Sequence, residues 1–209
     1  MTVSVEDKIF ENVIVLPSSD HVKELHTVLR NKLTTNSDFV FCADRLMRLV
    51  IEEGLNRLPY TAVQITTPTG APFDGLAFVP RGNCGVSINR SGEVMEQALR
   101  QCCRSVRIGK ILLGEENQVL YSKFMTDISR RRVLLMYPLL STGQTVTKAV
   151  SLLIENGVDE SNIILISVFS TPNSIKQIRK QHEKVTIITS EINAAIPYFS
   201  FSEKYFGTD

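Results

Sequence analysis

Length, composition and charge exclude several classes of protein. The chain has 209 residues, and its 23 basic and 22 acidic residues give a formal net charge of +1, which argues against a general nucleic-acid or membrane-surface binder. No apolar run approaches the roughly 18 residues that span a bilayer, and the acidic amino terminus lacks a signal-peptide pattern. The length suits one domain with a substantial core, so we expect residues 1–209 to form a single domain.

Cysteine and histidine usage indicates a reducing compartment and no metal site. The cysteines have no CxxC spacing and stand in apolar contexts; they are Cys42, Cys84, Cys102 and Cys103. Free buried thiols are therefore predicted, with a cytoplasmic location and the nucleus as a second location. The three histidines fall on predicted helix faces, so no metal site is predicted from them.

Residues 1–58 are predicted to be a helical amino-terminal part. Ser18 or Ser19 caps a first helix, whose inner face comprises Val22, Leu25, Val28, Leu29 and Leu33. A second helix carries an apolar face that includes Leu46 and Val50, and it is expected to end at Gly54. Residues 59–82 are turn-rich, with strand candidates at 63–67 and 73–78, which predicts a β-hairpin arm outside the central sheet.

Residues 83–209 show the alternation of an α/β core. Apolar strands are predicted at 84–88, 108–113, 133–137, 163–169 and 185–189, and amphipathic helices at 92–104, 145–156 and 173–182. Such alternation is typical of a parallel sheet covered by helices on both faces. The basic run at 130–132 is expected to be a solvated entry to a strand.

The stretch from Val133 to Thr145 is the most informative of the chain. An apolar strand runs into a hydroxyl-rich turn, and a helix follows at once. Free N–H groups at a helix start, together with the helix dipole, suit a phosphate, and Gly143 permits close approach of the backbone. The alternative is an ordinary turn with Thr145 as N-cap. Gln144 stands where a Walker-type loop has Lys, which excludes that motif.

This turn resembles the phosphoribosyl-pyrophosphate loop of uracil phosphoribosyltransferases, approximately Asp-Pro-Met-x-Ala-Thr-Gly-Gly-Ser. Other segments match the same family in the same order: residues 25–35, the segment Val86-Ser87-Ile88-Asn89-Arg90-Ser91-Gly92-Glu93, residues 108–111 with 121–123, and Lys204-Tyr205-Phe206-Gly207-Thr208. The resemblance spans nearly the whole chain, and it is greatest to the animal-type homologues. It implies a type I phosphoribosyltransferase-like parallel sheet flanked by helices, with the hairpin as an arm.

The resemblance also implies an activity and its ligands. Members of the family transfer ribose 5-phosphate from phosphoribosyl pyrophosphate to uracil, giving UMP and pyrophosphate in pyrimidine salvage, usually with Mg²⁺. A homodimer is implied, and in some members a regulatory GTP site, to which Arg30 and Lys32 correspond. The same two residues also fit any solvated helix end.

Site residues are carried over by position. Phosphoribosyl pyrophosphate is expected at Arg90, Tyr137, Pro138, Leu139, Leu140, Ser141, Thr142, Gly143, Gln144 and Thr145. Uracil is expected at a degenerate loop that includes Ile196, Phe199, Ser200, Phe201 and Ser202. The alternative for Arg90 is a surface ion pair with Glu93.

Three departures from the family pattern weaken the transferase interpretation. Tyr137 replaces the acidic residue before Pro138, and residues 114–116 lack the Arg of the family's flap. The uracil loop, Ile-Pro-Gly-x-Gly-Asp-x-Gly-Asp in the family, lacks its glycines and Asp at 196–203. Its aromatic side chains either fill the uracil space or pack in the core or a subunit interface.

Two functions follow from these observations. The chain is either a uracil phosphoribosyltransferase homologue whose activity is weak or lost, or a non-catalytic nucleotide- or phosphate-binding regulatory protein of the same fold. Whether it is an enzyme is left open by the sequence.

Overall fold

A computed structural model describes residues 11–79, 81–114 and 116–195 of the chain. Its strands are β1 (Val13–Val15), β2 (Tyr60–Thr66), β3 (Pro72–Phe78), β4 (Asn83–Asn89), β5 (Arg107–Leu113), β6 (Val119–Lys123), β7 (Arg132–Met136), β8 (Leu139–Leu140), β9 (Ile163–Ser170) and β10 (Thr186–Ile192). Its α-helices are α1 (Asp20–Arg30), α2 (Asn36–Leu55), α3 (Glu93–Cys102), α4 (Gln144–Glu155) and α5 (Pro172–Gln181). No helix in these ranges is long and apolar enough to cross a membrane.

The main sheet follows the order β1-β10-β9-β7-β4-β5-β6, with β8 also paired to β9. All of these pairings are parallel except β5 with β6, which is antiparallel. Every residue of β9 is buried, as expected for a parallel strand covered on both faces. The predicted α/β class is therefore confirmed.

Helices cover both faces of this sheet and enclose two separate cores. One core joins α1, α2 and α3 to side chains such as Leu134 and Ile166. The other joins α4 and α5 to the alternate strand positions, including Val133 and Leu165. This arrangement leaves the ends of the strands, and the loops that follow them, as the surface on which a site can form.

The predicted hairpin arm is confirmed as a separate two-stranded sheet. Strands β2 and β3 pair in antiparallel register, with Ile65 opposite Phe73. Both of these side chains are exposed. At the base of the arm, the ring of Tyr60 contacts that of Phe78, with centroids 5.6 Å apart, and Phe78 packs against the first core.

Several expectations about individual elements were wrong. Helix α1 ends at Arg30, because Asn31 is extended and its side chain accepts from the N–H of Leu33, which leaves Leu33 88% exposed. The basic run is not solvated throughout, since Arg131 is buried and forms an ion pair with Asp127 at 2.7 Å. Strands β1 and β8 are short additions that the apolar pattern did not predict.

Candidate functional site

Two turns meet at the carboxyl ends of the adjacent strands β4 and β7. The first, residues 89–92, is called the Arg90 turn; its N–H at Gly92 donates to the carbonyl of Ile88 at 2.8 Å. A Cβ at Gly92 would lie 2.5 Å from the carbonyl oxygen of Met136. Only glycine therefore lets this turn pack directly on the end of β7. The Asn89–Arg90 peptide bond is cis.

The second turn, residues 141–145, is called the hydroxyl loop and leads into α4. Gly143 is the N-cap of the helix with φ +83°, and a Cβ there would lie 2.8 Å from the carbonyl oxygen of Ser174. Two side chains at the start of α5 hydrogen-bond the loop. Thr171 Oγ1 donates to the carbonyl of Ser141 at 2.6 Å, and Ser174 Oγ donates to the carbonyl of Leu140 at 3.0 Å. These contacts fix the carbonyl groups on the side of α5.

The N–H groups of the hydroxyl loop are left largely without protein acceptors. Gln144 N–H makes a long contact of 3.4 Å to Thr142 Oγ1. In the described part of the chain, no acceptor receives the N–H groups of Ser141, Thr142, Gly143 or Thr145. Ser141 and Thr142 are exposed, so this helix start can accept an anion from solvent. The alternative with Thr145 as N-cap is wrong, because α4 begins earlier, at Gln144.

Residues 138–140 position the hydroxyl loop on β9 through the backbone. The carbonyl of Pro138 accepts from Ser167 Oγ at 3.1 Å and from the N–H of Val168 at 2.9 Å. Leu139 and Leu140 form β8 against β9, and Leu140 is buried in the second core. Their side chains therefore serve packing, while the loop beyond them carries the polar groups.

Tyr137 lies between the two turns. Its side chain is partly buried and packs against the second core, with the hydroxyl groups of Ser91 and Thr145 beside its own. Thr145 Oγ1 in turn donates to Asn117 Oδ1 at 3.2 Å. Burial raises the pKa of Tyr137, an effect that the neighbouring Thr145 and Ser91 hydroxyl groups oppose, so the phenol is neutral at physiological pH.

Charged side chains beside the Arg90 turn are largely paired with each other. Lys110 Nζ lies 2.8 Å from Glu93 and 3.2 Å from Glu96, and Ser87 Oγ donates to Glu96 at 2.5 Å. The hydrogen bond to Glu93 is the main reason that the pKa of Lys110 is raised. Arg90 is exposed. The expected alternative of an Arg90–Glu93 pair is not formed, because Glu93 faces Lys110.

Arg30, the first residue of the candidate GTP site, forms an ion pair on β10, towards the opposite edge of the sheet. Its guanidinium lies 2.6 Å from the carboxylate of Glu191 and 4.9 Å from the ring centroid of Phe169. His26 Nε2 is 2.9 Å from Ser190 Oγ, and its Nδ1 is 3.7 Å from Glu191. Lys32 follows the end of α1 and is exposed.

Parts of the predicted site lie outside the described residues. These include Glu115 in the flap and the whole uracil loop with Ile196, Phe199, Ser200, Phe201 and Ser202. The prediction that the aromatic residues of this loop occupy the uracil space falls on the same segment. Within 11–79, 81–114 and 116–195, no group of three metal-ligating side chains comes together.

Sequence reasoning missed the residues that shape the hydroxyl loop from elsewhere in the chain. Thr171 and Ser174 have a local signal, since Thr171-Pro172-Asn173-Ser174 has the capping pattern of a helix that follows a strand. Asn117 has no such signal, because its contact with Thr145 joins a loop to a distant helix.

The topology and the paired turns define a phosphoribosyltransferase fold. Among solved structures, the chain is similar to adenine phosphoribosyl transferase from Trypanosoma brucei, with a TM-score of 0.57 over 87% of this chain and 84% of that chain, at 10% identity. At this identity the likeness concerns the fold alone. It agrees with the sheet order and flanking helices described above.

The chain belongs to the uracil phosphoribosyltransferase family. The family model described as uracil phosphoribosyltransferase matches residues 15–201. A uracil phosphoribosyltransferase homolog from Danio rerio is 54% identical over 100% of this chain and 82% of its own length. Uridine kinase-like protein 5 from Arabidopsis thaliana is 44% identical over 97% of this chain but only 46% of its own length, so the chain spans about half of that relative.

Proposed function

We propose that this chain is a uracil phosphoribosyltransferase homologue of pyrimidine salvage that binds sugar phosphate but transfers ribose to uracil weakly or not at all. One observation carries the proposal. Within the described residues, most N–H groups of the hydroxyl loop have no acceptor, whereas the adjoining position, acidic in the family, holds the neutral phenol of Tyr137.

Loss of a charge at this position matters for the chemistry. Transfer of a ribose 5-phosphate unit develops positive charge on the sugar, which a preorganised carboxylate stabilises through the ribose hydroxyls. A neutral Tyr137 supplies no such charge. Losing one preorganised electrostatic contact costs about 3 kcal/mol of barrier, or about a hundredfold in rate.

Fewer cationic side chains are available here to contact pyrophosphate than in other members of the family. Residues 114–116 contain no Arg, and the one Lys on β5, Lys110, is held between Glu93 and Glu96. Arg90 is exposed at the turn and is the guanidinium that we assign to the pyrophosphate. Arg90 is the one cationic side chain of the two described turns, 89–92 and 141–145, which leaves much of the charge on the departing pyrophosphate unbalanced.

Magnesium, which the family uses with phosphoribosyl pyrophosphate, finds few charged ligands here. Mg²⁺ prefers carboxylate and water oxygens, and residues 137–145 contain neither Asp nor Glu. The nearby Glu93 accepts from Lys110. The residues of the hydroxyl loop therefore do not fit a protein-held Mg²⁺, and any ion would arrive bound to the phosphates of the ligand.

Assembly and regulation are further parts of the proposal. A homodimer is supported by the hairpin arm, whose Ile65 and Phe73 are exposed side by side. Sedimentation of an Ile65→Thr, Phe73→Thr variant tests this, and an unchanged dimer would rule out the arm as the dimer contact.

GTP regulation through Arg30 and Lys32 requires Arg30 to leave Glu191, and calorimetry with GTP tests it. Salvage in the cytoplasm is supported by the free cysteines.

The second candidate is a non-catalytic regulatory protein that binds a nucleotide or phosphate at the same loop. The hydrogen bond from Thr145 to Asn117 favours it, because this bond ties the loop at 117 to the hydroxyl loop without a ligand. Detectable UMP formation separates the two candidates, since it is compatible only with the first.

Calorimetry with ribose 5-phosphate tests the binding part of the proposal. In a Thr142→Ala, Gly143→Val double variant, the side chain added at 143 clashes with Ser174 and distorts the N–H groups, so affinity should fall at least about tenfold. Gly157→Val is the matched control, since Gly157 has the same left-handed φ of 84° but lies at the other end of α4. Unchanged affinity in the double variant would count against this site.

A further inference from the structure

Arginine side chains gather where the neighbouring strands β5, β4 and β7 begin, at the end of the sheet opposite the candidate site. Arg107 and Arg132 are the first residues of β5 and β7, and Arg81 lies just before β4. Arg104 and Arg130 stand in the loops that lead into β5 and β7. These five residues are called the arginine row.

Strand pairing brings the members of the row side by side. Strand β4 lies between β5 and β7, and its first two residues pair with Arg132 and Arg107 in turn. The N–H of Arg132 also donates to the carbonyl of Gly82 at 2.7 Å, next to Arg81. Because neighbouring strands are about 4.8 Å apart, the backbones of Arg107 and Arg132 are separated by only about 10 Å.

The row carries positive charge that forms no ion pair across the described ranges of the chain. All five side chains are exposed. Arg132 donates one hydrogen bond, at 3.2 Å, to the carbonyl of Arg57, which is a neutral acceptor. Like charges this close lie within about one Debye length of each other and repel, so an anion placed among them would be attracted by several at once.

Two arginines that border the row show which anion this surface holds. Arg131 donates through Nε and Nη2 to the two carboxylate oxygens of Asp127, at 2.8 and 2.7 Å. Arg57 donates through the same two nitrogens to Glu53 Oε1. The planar fork of a guanidinium matches a carboxylate, so the members of the row are suited to carboxylates from another molecule.

The surroundings favour an acidic protein segment over a nucleic acid. Residues 79–82, 103–107 and 127–132 include no aromatic side chain on which a base could stack, and a net charge of +1 gives little long-range attraction for a polyanion. Asp159 and Glu160 stand just before β9, the strand beside β7, so a long anionic backbone continuing past β7 would be repelled.

A short peptide fits these limits. In an extended peptide, alternate side chains lie on one face about 6.6–6.8 Å apart. Two or three alternate carboxylates therefore match a row about 10 Å long.

We infer that the arginine row is a docking surface for a short acidic segment of a partner protein. Alternate Glu or Asp side chains of that segment contact Arg107, Arg81 and Arg132. The row and the candidate site lie at opposite ends of strands such as β4, which has 7 residues and is therefore about 23 Å long. Both can be occupied at once, and the inference does not depend on the proposed phosphate site.

Fluorescence anisotropy with a labelled peptide tests the inference on the full chain. The probe contains six Glu-Ser repeats, and a peptide of six Gln-Ser repeats is the uncharged control. The acidic peptide should bind with a dissociation constant of about 100 μM or lower at about 0.05 M salt, and at least about fivefold more weakly at about 0.3 M. The uncharged peptide should not bind.

A double variant locates the binding surface. Arg81→Gln with Arg107→Gln removes two exposed charges, and the dissociation constant should rise at least about fivefold. Lys176→Gln with Lys180→Gln is the matched control, because it removes the same charge from exposed positions on α5, and its dissociation constant should stay within about twofold.

Several results would overturn the inference. They are failure of the acidic peptide to bind at about 1 mM, equal affinity in the arginine double variant, and tighter binding of a single-stranded oligodeoxythymidine than of the peptide. Competition between the peptide and ribose 5-phosphate would also overturn it, since it would place the peptide at the hydroxyl loop. Failure of ribose 5-phosphate itself to bind contradicts the proposed function, whereas peptide binding that depends on Arg81 and Arg107 still supports the arginine row.

Discussion

Gly92 and Gly143 show how single residues create the site. At Gly92 the requirement is space, since three backbone atoms of Met136 and Ile88 lie within 2.8 Å of the position of a Cβ. At Gly143 it is conformation, because φ is +83° and side chains rarely adopt this region. Together these glycines let the Arg90 turn pack on the end of β7 and the hydroxyl loop pack on α5.

The first prediction concerns Gly92→Ala. Because the surrounding atoms are backbone and cannot rotate away, the added methyl group should lower the free energy of unfolding by about 1–3 kcal/mol. Gly75→Ala is the control, since a Cβ there meets only the exposed Phe73 side chain, at 3.1 Å. Urea denaturation of both variants measures the difference, and equal stability for the two would refute the steric argument.

At the scale of elements, α1 is fastened to the sheet by a polar cluster and not by apolar contacts alone. His26 and Arg30 lie on α1, and they contact Glu191 and Ser190 on β10 and the ring of Phe169 on β9. Burial lowers the pKa of His26; the Glu191 carboxylate opposes this shift, and Arg30 adds to it.

This shift predicts how stability depends on pH. The folded protein binds a proton at His26 less readily than the unfolded chain, in which the pKa is about 6.5. The unfolded state therefore gains protons as the pH falls below that value, and the free energy of unfolding should decrease. His26→Gln should reduce this loss, measured by urea denaturation between pH 7 and pH 5, whereas the control His21→Gln, at an exposed position, should not. An unchanged pH profile in His26→Gln would contradict the assignment.

Elements with strong periodicity were predictable from the sequence, and contacts between distant elements were not. The buried β9 and the paired hairpin strands appear where their apolar patterns indicate. The end of α1 was missed because the Asn31 side chain stops a helix whose apolar pattern continues to Leu33. Likewise, the bond between Asn117 and Thr145 depends on how a flap and a helix start meet in the fold.

Across the whole molecule, the site lies at the carboxyl ends of β4 and β7, two strands in the interior of the sheet. Two cores clamp the strands from both sides, so the carboxyl ends of β4 and β7 are held in a fixed relation. The family fold and a loop suited to phosphate are retained. The acidic residue that the family has between the two turns is replaced here by the neutral Tyr137.

Turnover is the measurement that tests the central claim most directly. Labelled uracil, phosphoribosyl pyrophosphate and Mg²⁺ are incubated with the full chain, and UMP formation is followed. We expect a rate well below about 1 per second. Tyr137→Asp alone should not restore full activity, because residues 196–203 still lack the glycines and the Asp of the family's uracil loop. UMP formed by the unsubstituted protein at about 1–1000 per second, the range typical of enzymes, would contradict the account and establish an active uracil phosphoribosyltransferase.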